Sequence, residues 1–344
     1  MIKIEIILLA NNAVFPWQNL QKTEGLKYIE LNKLFATQSI AEHGLGFLIN
    51  IWEVKGKEDT SNNKLLKKII FDTGSTNLSF LHNLDVRGYP LYDVDTIVLS
   101  HWHYDHTGGL YKILERIENQ VDIISHHYAN FERIFNRSRK IQNQDLIGKT
   151  RKDIIPLLQS SKIVNQEPIN LDKIDYLNGN VIFSKEQIEI FKKDDLRILV
   201  SGEIPRRNKE EDFNNFLFLH SGLISLDKIW DDKCIIIEHS GKIIILNGCC
   251  HSGIINTLNY VKTLNTKPFS HIIGGFHMIG ASIDRIKRTL GYFRDLQIDK
   301  IDLFPIHCSG QNFIDVIKKA KIPGIRAFNI SVGTIFNFSS NTNF

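Results

Sequence analysis

Residues 99–110, LSHWHYDHTGGL, place three histidines and an aspartate within six consecutive positions. The apolar run TIVL directly before them is typical of a buried β-strand. His101 and His103 stand at alternate positions just past the strand end, so both side chains can bind one ion. Asp105 and His106 follow as the loop turns and can bind a second ion. Because imidazole nitrogen and carboxylate oxygen suit zinc, iron or manganese, the stretch predicts a metal site at the end of a strand.

Four other segments place candidate site residues just past predicted strands. His251 lies in NGCCHSG, His277 lies in GGFHMIG and His307 lies in FPIHCSG. Asp72 ends the strand of IIFDTG, where it can accept the proton of a ligand histidine and fix its tautomer. Two ions need about six protein ligands and a shared water. We therefore expect these strand ends to meet at one edge of the folded sheets and to complete a two-metal site.

Strands and helices follow one another in an order that predicts the fold. The first half is rich in strands, such as KIEIILLA and LGFLINIWEV, whereas the second half alternates strand and helix. CIIIEHSGKIIILNG is typical of a hairpin turned by Ser240 and Gly241, and the helix after it is expected to have Ser252 as its N-cap. We predict one domain, residues 1–344, built as an α/β (αββα) sandwich of two mixed β-sheets with helices on the outer faces.

Residues 128–180 differ from the rest of the chain, because they are polar and basic and their apolar spacing is weak. Their basic residues include Arg133, Arg137, Arg139, Lys140, Lys149, Arg151 and Lys152. We interpret this region as an insertion or cap with one or two helices. Its charge allows two interpretations, a solvated basic surface or a lid that grips a phosphate.

The composition narrows the classes of protein. Apolar residues make up 42% of the chain and charged residues 23%, and the net charge of +4 is too small to indicate nucleic-acid binding. No apolar run reaches the ~18–20 residues of a membrane span, and the N-terminal segment is typical of a first strand, not a signal peptide. Four cysteines without a CxxC pair indicate free thiols in the reducing cytoplasm. Cys249, Cys250 and Cys308 stand beside candidate ligands, either as small buried residues or as part of the site.

Several of these motifs together resemble a known superfamily. FDTG, SHWHYDHTGG and HCSG resemble the metallo-β-lactamase superfamily, which implies the metallo-β-lactamase fold and two divalent ions, zinc or alternatively iron or manganese. EHGLGFLI, GEIPR, NGCCHSGIINTL, GGFH and PIHCSG are similar to the subfamily of 7,8-dihydropterin-6-yl-methyl-4-(β-D-ribofuranosyl)aminobenzene 5′-phosphate synthases. By this resemblance Asp72 supports the ligands, and the ligands are His101, His103, Asp105, His106, His251 and His307.

The chain departs from the superfamily where many relatives carry a bridging aspartate. The place after the strand KIIIL reads NGCCH and contains no carboxylate. Either His251 takes over at this point, or the two ions share only water and Asp105. Cys249 and Glu203 are the further candidates to replace the missing aspartate. A GHT-like histidine motif is also missing, and SGEIPRR stands in its neighbourhood.

The predicted chemistry is metal-assisted hydrolysis or a related transfer. A bound ion lowers the pKa of water from ~15.7 towards ~7, and the resulting hydroxide attacks a carbonyl carbon or a phosphorus. Asp105 can hold this water, and His277 can donate a hydrogen bond to the substrate or act as a general acid. Arg206 and Arg207 can hold a phosphate. We expect a small anionic or phosphorylated substrate, and the sequence leaves hydrolysis and condensation both open.

Three other functions remain as alternatives. An iron-dependent oxidoreductase on the same fold usually has glutamate at the position of His103, so the histidine favours hydrolysis. A nucleic-acid phosphodiesterase shares the histidine motif but normally has a larger basic surface, so nucleic acid is not the expected partner. The third alternative is a non-catalytic module that keeps its metal for stability or sensing. The sequence does not determine the oligomeric state.

Overall fold

The structure is a computed structural model that describes residues 1–14, 26, 28–30, 38–55, 63–211, 216–296 and 300–339. This part of the chain forms two large β-sheets and one small one. The first large sheet has the strand order β2 (Ile29–Glu30), β19 (Ile335–Ser339), β1 (Ile2–Ala10), β3 (Gly46–Glu53), β4 (Lys64–Phe71), β5 (Thr96–Val98), β6 (Val121–Ser125) and β9 (Gly179–Phe183). The second has the order β10 (Ile188–Lys193), β11 (Leu196–Val200), β14 (Cys234–His239), β15 (Lys242–Asn247), β16 (Phe269–Gly275), β17 (Ile301–Ile306) and β18 (Ile325–Ala327).

The small sheet and the helices complete the described elements. The small sheet, called the cap sheet below, has the order β13 (Leu223–Asp227), β12 (Phe216–His220), β7 (Arg133–Asn136) and β8 (Ile163–Gln166). The α-helices are α1 (Asn77–Arg87), α2 (Tyr104–Thr107), α3 (Leu110–Leu114), α4 (Arg151–Gln159), α5 (Leu171–Tyr176), α6 (Ile254–Leu264), α7 (Ile283–Asp295) and α8 (Gln311–Lys319). Short 3₁₀ turns span His127–Asn130, Asn143–Asp145, Lys209–Glu211 and His307–Ser309. No helix in these described ranges is both long enough and apolar enough to cross a bilayer.

Apolar side chains hold the two large sheets face to face. Ile6 and Phe47 of the first sheet share one buried cluster with Ile237 and Phe304 of the second. A further apolar layer joins the outer face of the first sheet to α1 and α3, and another joins the second sheet to α6, α7 and α8. Both large sheets are mixed, with parallel strands from β4 to β9 and from β15 to β18. The predicted αββα sandwich of two mixed sheets is confirmed.

The parallel strands bring the predicted site residues to one edge of the sandwich. In both sheets, Asp72 and the predicted histidines follow the carboxyl ends of these strands. Several residues there have positive φ angles, namely 58° at Asp72, 61° at Cys250, 46° at His277 and 53° at His307. Left-handed backbone at a non-glycine residue costs free energy and persists where the surroundings enforce it, often at functional sites. The sharp turns therefore mark this edge as the candidate site.

Local signals predicted one turn correctly and one helix cap wrongly. The hairpin of β14 and β15 turns at Ser240 and Gly241, whose φ angles of 49° and 73° suit a tight two-residue turn. Helix α6, however, has Gly253 as its N-cap, so Ser252 is not the cap. The Glu211 carboxylate accepts the first backbone N–H groups, from Ile255 at 3.1 Å and Asn256 at 2.9 Å. A remote carboxylate does the work that a local serine was expected to do.

The basic region 128–180 contains α4 and α5 but also strands, and it is not self-contained. Its strands β7 and β8 pair with each other, and β7 pairs with β12 from residues 216–220. Strand β13 completes the sheet. One face of this cap sheet has its own small core, formed with α4 and consisting of Ile134, Leu146, Ile154, Ile163, Leu217 and Ile224. The cap is therefore built from two chain segments that lie far apart in sequence.

Arg133 belongs neither to a solvated surface nor to a phosphate lid. It is 1% exposed, and its guanidinium lies 2.8 Å from both the Asp227 and the Asp231 carboxylates. Arg151 is also paired, with the Glu132 carboxylate at 2.9 Å. Both residues therefore pair with acidic side chains, Arg133 in the interior and Arg151 at the surface, where its side chain is 50% exposed.

Buried His271 predicts a pH dependence of stability. Burial lowers its pKa to about 3, and its Nδ1 lies 2.9 Å from Ser270 Oγ. In the unfolded state this histidine has a pKa near 6.5. Below that pH the unfolded state binds a proton that the folded state does not bind, so the unfolding free energy falls as the pH drops. Between pH 7 and pH 5.5 we expect the wild type to lose about 1 kcal/mol more unfolding free energy than His271→Phe. Urea unfolding at both pH values measures this, and equal losses would contradict it.

Candidate metal centre

Asp72 holds the histidine motif to the end of the neighbouring strand. Its fully buried carboxylate accepts the Ser100 backbone N–H and hydroxyl, each at 2.7 Å. The same carboxylate lies 2.6 Å from His106 Nδ1. This bond places the imidazole proton on Nδ1 and leaves His106 Nε2 as the atom that can bind a metal. Asp72 therefore contacts one of the predicted ligands, and its supporting role stays a prediction.

A second buried carboxylate fixes the loop between the first two histidines. Asp231 Oδ2 accepts the backbone N–H of Trp102 at 2.7 Å. Arg133 pairs with the same oxygen at 2.8 Å. Trp102 stands between His101 and His103, so this contact fixes the backbone that carries both imidazoles.

His101, His103 and His251 form a first group of donors, all of them buried. The Nε2 atoms of His101 and His251 are 3.2 Å apart. The ring of His103 lies 4.5 Å from that of His101 and 5.1 Å from that of His251. His103 Nε2 is buried and has no hydrogen-bond partner. Buried imidazole nitrogens that lie close together with no hydrogen-bond donor between them fit a bound cation.

Asp105, His106 and His307 form a second group beside the first. Asp105 Oδ2 lies 3.3 Å from His307 Nε2 and 3.8 Å from His106 Nε2. On the other side of the His307 ring, Asn12 Oδ1 lies 2.9 Å from Nδ1, so Nε2 of His307 faces the Asp105 carboxylate. One carboxylate and two imidazoles at these separations also suit a divalent ion.

Cys249 lies where the two groups meet. Its Sγ is 3.1 Å from His106 Nε2, and it lies within 4.8 Å of the donors of both His101 and His251 as well as those of Asp105 and His307. Glu203, the other candidate for the bridging position, instead contacts His126 Nε2 at 2.9 Å and Lys185 Nζ at 3.7 Å. The geometry therefore favours Cys249 over Glu203.

His277 lies beside the first group and not between the two. Its ring is 4.2 Å from that of His251, and its donor atom is close to the thiols of Cys249 and Cys308. Glycine is needed at Gly275, because a Cβ there would stand 2.6 Å from Cys308 Sγ. The donor atom of His277 and the thiols of Cys249 and Cys308 could also hold a metal ion, so the role of His277 outside metal coordination stays a prediction.

His43 is a member of the site that the sequence analysis missed. Its Nε2 lies 3.2 Å from Asp105 Oδ2, and its side chain is 54% exposed. It precedes β3, which runs antiparallel to β4, so the start of β3 lies at the same edge as the end of β4. The predicted site residues follow strands, whereas His43 precedes one, within the stretch EHGLGFLI that resembles the subfamily. The next residue, Gly44, leaves room that a Cβ would fill, since a Cβ would lie 2.7 Å from the Asp105 carbonyl.

The two arginines of the predicted phosphate site have different surroundings. Arg206 donates to the backbone carbonyls of His251 at 2.9 Å and Ile229 at 3.0 Å, and also to that of Lys228. It therefore holds the segment that carries His251. Arg207 is exposed and lines a small depression beside α6. Phosphate binding by Arg206 and Arg207 stays a prediction.

The electrostatics of the centre favour neutral imidazoles in the first group. Burial lowers the pKa of His103 to about 3, and burial together with neighbouring imidazoles holds those of His101 and His251 well below the usual value. In the second group burial opposes charge, but Asp72 and Asp105 raise the pKa of His106 to about 9. Burial alone would raise the pKa of the Asp105 carboxyl, but His106, His307 and His43 hold it well below its usual value.

Comparison with known proteins agrees with the fold and the motif. Residues 66–184 match the sequence model of the metallo-β-lactamase superfamily. The chain is 27% identical over 296 residues to a 7,8-dihydropterin-6-methyl-4-(β-D-ribofuranosyl)-aminobenzene-5′-phosphate synthase of Methanocaldococcus jannaschii, covering 85% of this chain and 90% of the relative. It is also 29% identical over 275 residues to an uncharacterised protein of the same organism, and this match covers 78% of this chain and 85% of the relative.

A solved structure extends the likeness to the whole fold. A metal-dependent hydrolase of the β-lactamase superfamily superposes with a TM-score of 0.65 at 18% identity, covering 98% of each chain. Matched residues 66–184 include Asp72 and the complete histidine motif, and the sandwich carries the remaining histidines to the same edge. Over residues 66–184 the chain is similar to the metallo-β-lactamase superfamily, and its fold agrees with that likeness.

Proposed function

We propose that this protein is a metal-dependent hydrolase that acts on a small anionic or phosphorylated substrate. It would use two divalent ions, with zinc as the favoured metal. The observation that carries the proposal is that two adjacent ligand sets share Cys249, namely His101 with His251, and Asp105 with His106 and His307. The ring of His103 lies beside the first set. The first ion would be held by His101, His103 and His251, and the second by Asp105, His106 and His307. Such ions supply Lewis acidity and lower the pKa of water, so that a nucleophile is available at neutral pH.

The side chains around the donors have roles that follow from their contacts. Asp72 keeps the proton of His106 on Nδ1, and Asp231 fixes the loop that carries His101 and His103. Asp105 can orient a water through its carboxylate, which already faces three imidazoles. His277 stands beside His251 at the edge of the centre and would donate a proton or hydrogen bond to the leaving group.

Group transfer is the second candidate, and one observation favours it. The synthase relative from M. jannaschii aligns with 85% of this chain. If this chain acts as that relative is named, its substrates are a pterin and a phosphorylated ribofuranosyl aminobenzene, and the same ions would stabilise the charge on the phosphorylated partner. A cytoplasmic location belongs to both candidates and is supported by four buried free thiols.

Elemental analysis of the purified protein tests the metal centre first. We expect about two divalent ions per chain, removed by a chelator and restored by zinc. The loaded protein should then hydrolyse phosphodiesters, lactones or thioesters, or condense a phosphorylated pterin substrate, and the stripped protein should not. Bound iron with redox turnover would instead favour the oxidoreductase. Salt-sensitive RNA binding would favour the nucleic-acid phosphodiesterase. A metal-loaded protein without turnover would favour the non-catalytic metal-binding module.

Cys249→Ser tests the thiol as a ligand of both ions. Because thiolate sulfur binds zinc and cobalt more strongly than a hydroxyl, we expect the variant to retain about one ion where the wild type retains two. The cobalt-loaded wild type should show a sulfur-to-cobalt absorption band that the variant lacks. Cys250→Ser is the matched control, since Cys250 Sγ contacts Thr257 Oγ1 at 3.4 Å. An unchanged band in Cys249→Ser would exclude the thiolate.

A further inference from the structure

One face of the cap sheet carries aromatic side chains towards the metal centre. Strands β7 and β12 are antiparallel, with Ile134 opposite Leu217 and Arg133 opposite Phe218. Ile134 and Leu217 lie in the core of the cap. Since side chains alternate along a strand, the neighbouring residues project from the other face. This register places Phe135 on β7 opposite Phe216 on β12, on the face away from the cap's core.

Both phenylalanine rings contact imidazoles of the proposed metal centre. The ring of Phe216 lies 4.9 Å from that of His103 and 5.0 Å from that of His251. Phe135 lies 5.5 Å from His103 and 5.6 Å from Tyr104. These separations are within the usual range for interacting aromatic rings. The cap therefore stands directly over the first donor group.

The same three aromatic side chains keep part of their surface open. Phe135 and Phe216 are only partly buried, and Tyr104 is 41% exposed, although His103 beneath them is 4% exposed. The three rings thus form a partly open apolar surface next to His103. We call Tyr104, Phe135 and Phe216 the aromatic rim.

We propose that the aromatic rim binds a planar aromatic ring of the substrate and places the ring's polar substituent at the metal centre. The proposal rests on the proposed function, because it needs a small molecule that reacts there. A planar ring is the occupant that gains most, since offset or edge-to-face packing adds to the free energy of apolar burial. A flexible aliphatic chain would bury area but gain no ring geometry. The rim thus selects for a planar ring over an aliphatic group.

Binding of planar probes to the zinc-loaded protein tests the rim. The probes are pterin, followed by its own fluorescence, and 4-aminobenzoate, followed by calorimetry. Ribose 5-phosphate is the probe without an aromatic ring. We expect Phe216→Leu and Phe135→Leu to raise the dissociation constants of the planar probes about tenfold and to leave that of ribose 5-phosphate unchanged. Phe216→Tyr, which keeps the ring, should bind them as the wild type does.

Two further variants keep the test decisive. Tyr104→Ala removes a ring of a residue that is 41% exposed, so it tests the rim even if a phenylalanine variant unfolds. Phe131→Leu is the matched control, since Phe131 contacts Phe218 and His220 instead of the donor histidines. Zinc content is measured on every variant.

Four results would overturn the inference. These are full planar-probe affinity in the leucine variants and Tyr104→Ala, equal weakening of ribose 5-phosphate, failure of the wild type to bind any planar probe, and binding of single-stranded RNA in place of the small probes. If the wild type binds pterin but holds no metal and has no turnover, the proposed function is wrong and the inference about the aromatic rim is supported.

Discussion

Asp105→Asn is expected to lower kcat/KM of the metal-loaded protein by about a thousandfold, because one ion supplies several kcal/mol of transition-state stabilisation and each 1.4 kcal/mol is a factor of ten. The carboxylate of Asp105 faces the imidazoles of His43, His106 and His307 within 3.8 Å. Asparagine keeps the shape but loses the negative charge, so the second group should lose its ion. Elemental analysis should then find about one ion per chain, held by the first group.

The matched control for this substitution is Asp175→Asn, which changes an exposed aspartate on α5. It should keep two ions and full activity. Two retained ions with full activity in Asp105→Asn would show that the second group is not a metal site. A loss of both ions would show that the two groups bind metal as one unit.

Arg133→Met is expected to lower the unfolding free energy by about 3–5 kcal/mol, because it leaves buried carboxylates without their cation. Arg133 is 1% exposed and pairs at 2.8 Å with both Asp227 and Asp231. Burial already raises the pKa of Asp227 to about 6, although the arginine lowers it, so removal of the arginine should favour its protonated form further. Denaturant unfolding at pH 7 measures the change. Because Asp231 also holds the Trp102 backbone, zinc affinity should fall as well.

Arg116→Met is the control for Arg133→Met. Arg116 forms a two-bond pair with Asp85 at 2.6 and 3.0 Å, but both side chains are largely exposed. Surface pairs of this kind contribute about 0–1 kcal/mol. A similar loss in the two variants would mean that burial does not set the importance of the Arg133 pairs.

The fold and most of the candidate centre could be predicted because their signals are local. The motif of His101, His103, Asp105 and His106 spans six positions, and each of the other predicted ligands lies shortly after an apolar strand. Parallel strands bring such positions to one edge of their sheet. The structure gathers all of these side chains, and their role as ligands stays a prediction.

The parts that were missed depend on contacts between distant segments. His43 joins the centre because β3 is antiparallel to β4, and no spacing near His43 reveals that pairing. The cap sheet depends on residues 216–227 adding strands to a region that ends near residue 180. Glu211 displaces Ser252 as the partner of the first N–H groups of α6 for the same reason. Tertiary contacts override local propensity in each of these cases.

The division of the cap between two distant segments limits how this protein can be re-engineered or diversified. A graft of residues 128–180 from a relative would pair the recipient's β12 with a foreign β7. The side chains at the positions of Phe135 and Phe216, on these two strands, would then no longer match. Exchange of specificity by recombination therefore requires both segments to move together. Single-segment chimeras should lose the covering sheet while the sandwich beneath it persists.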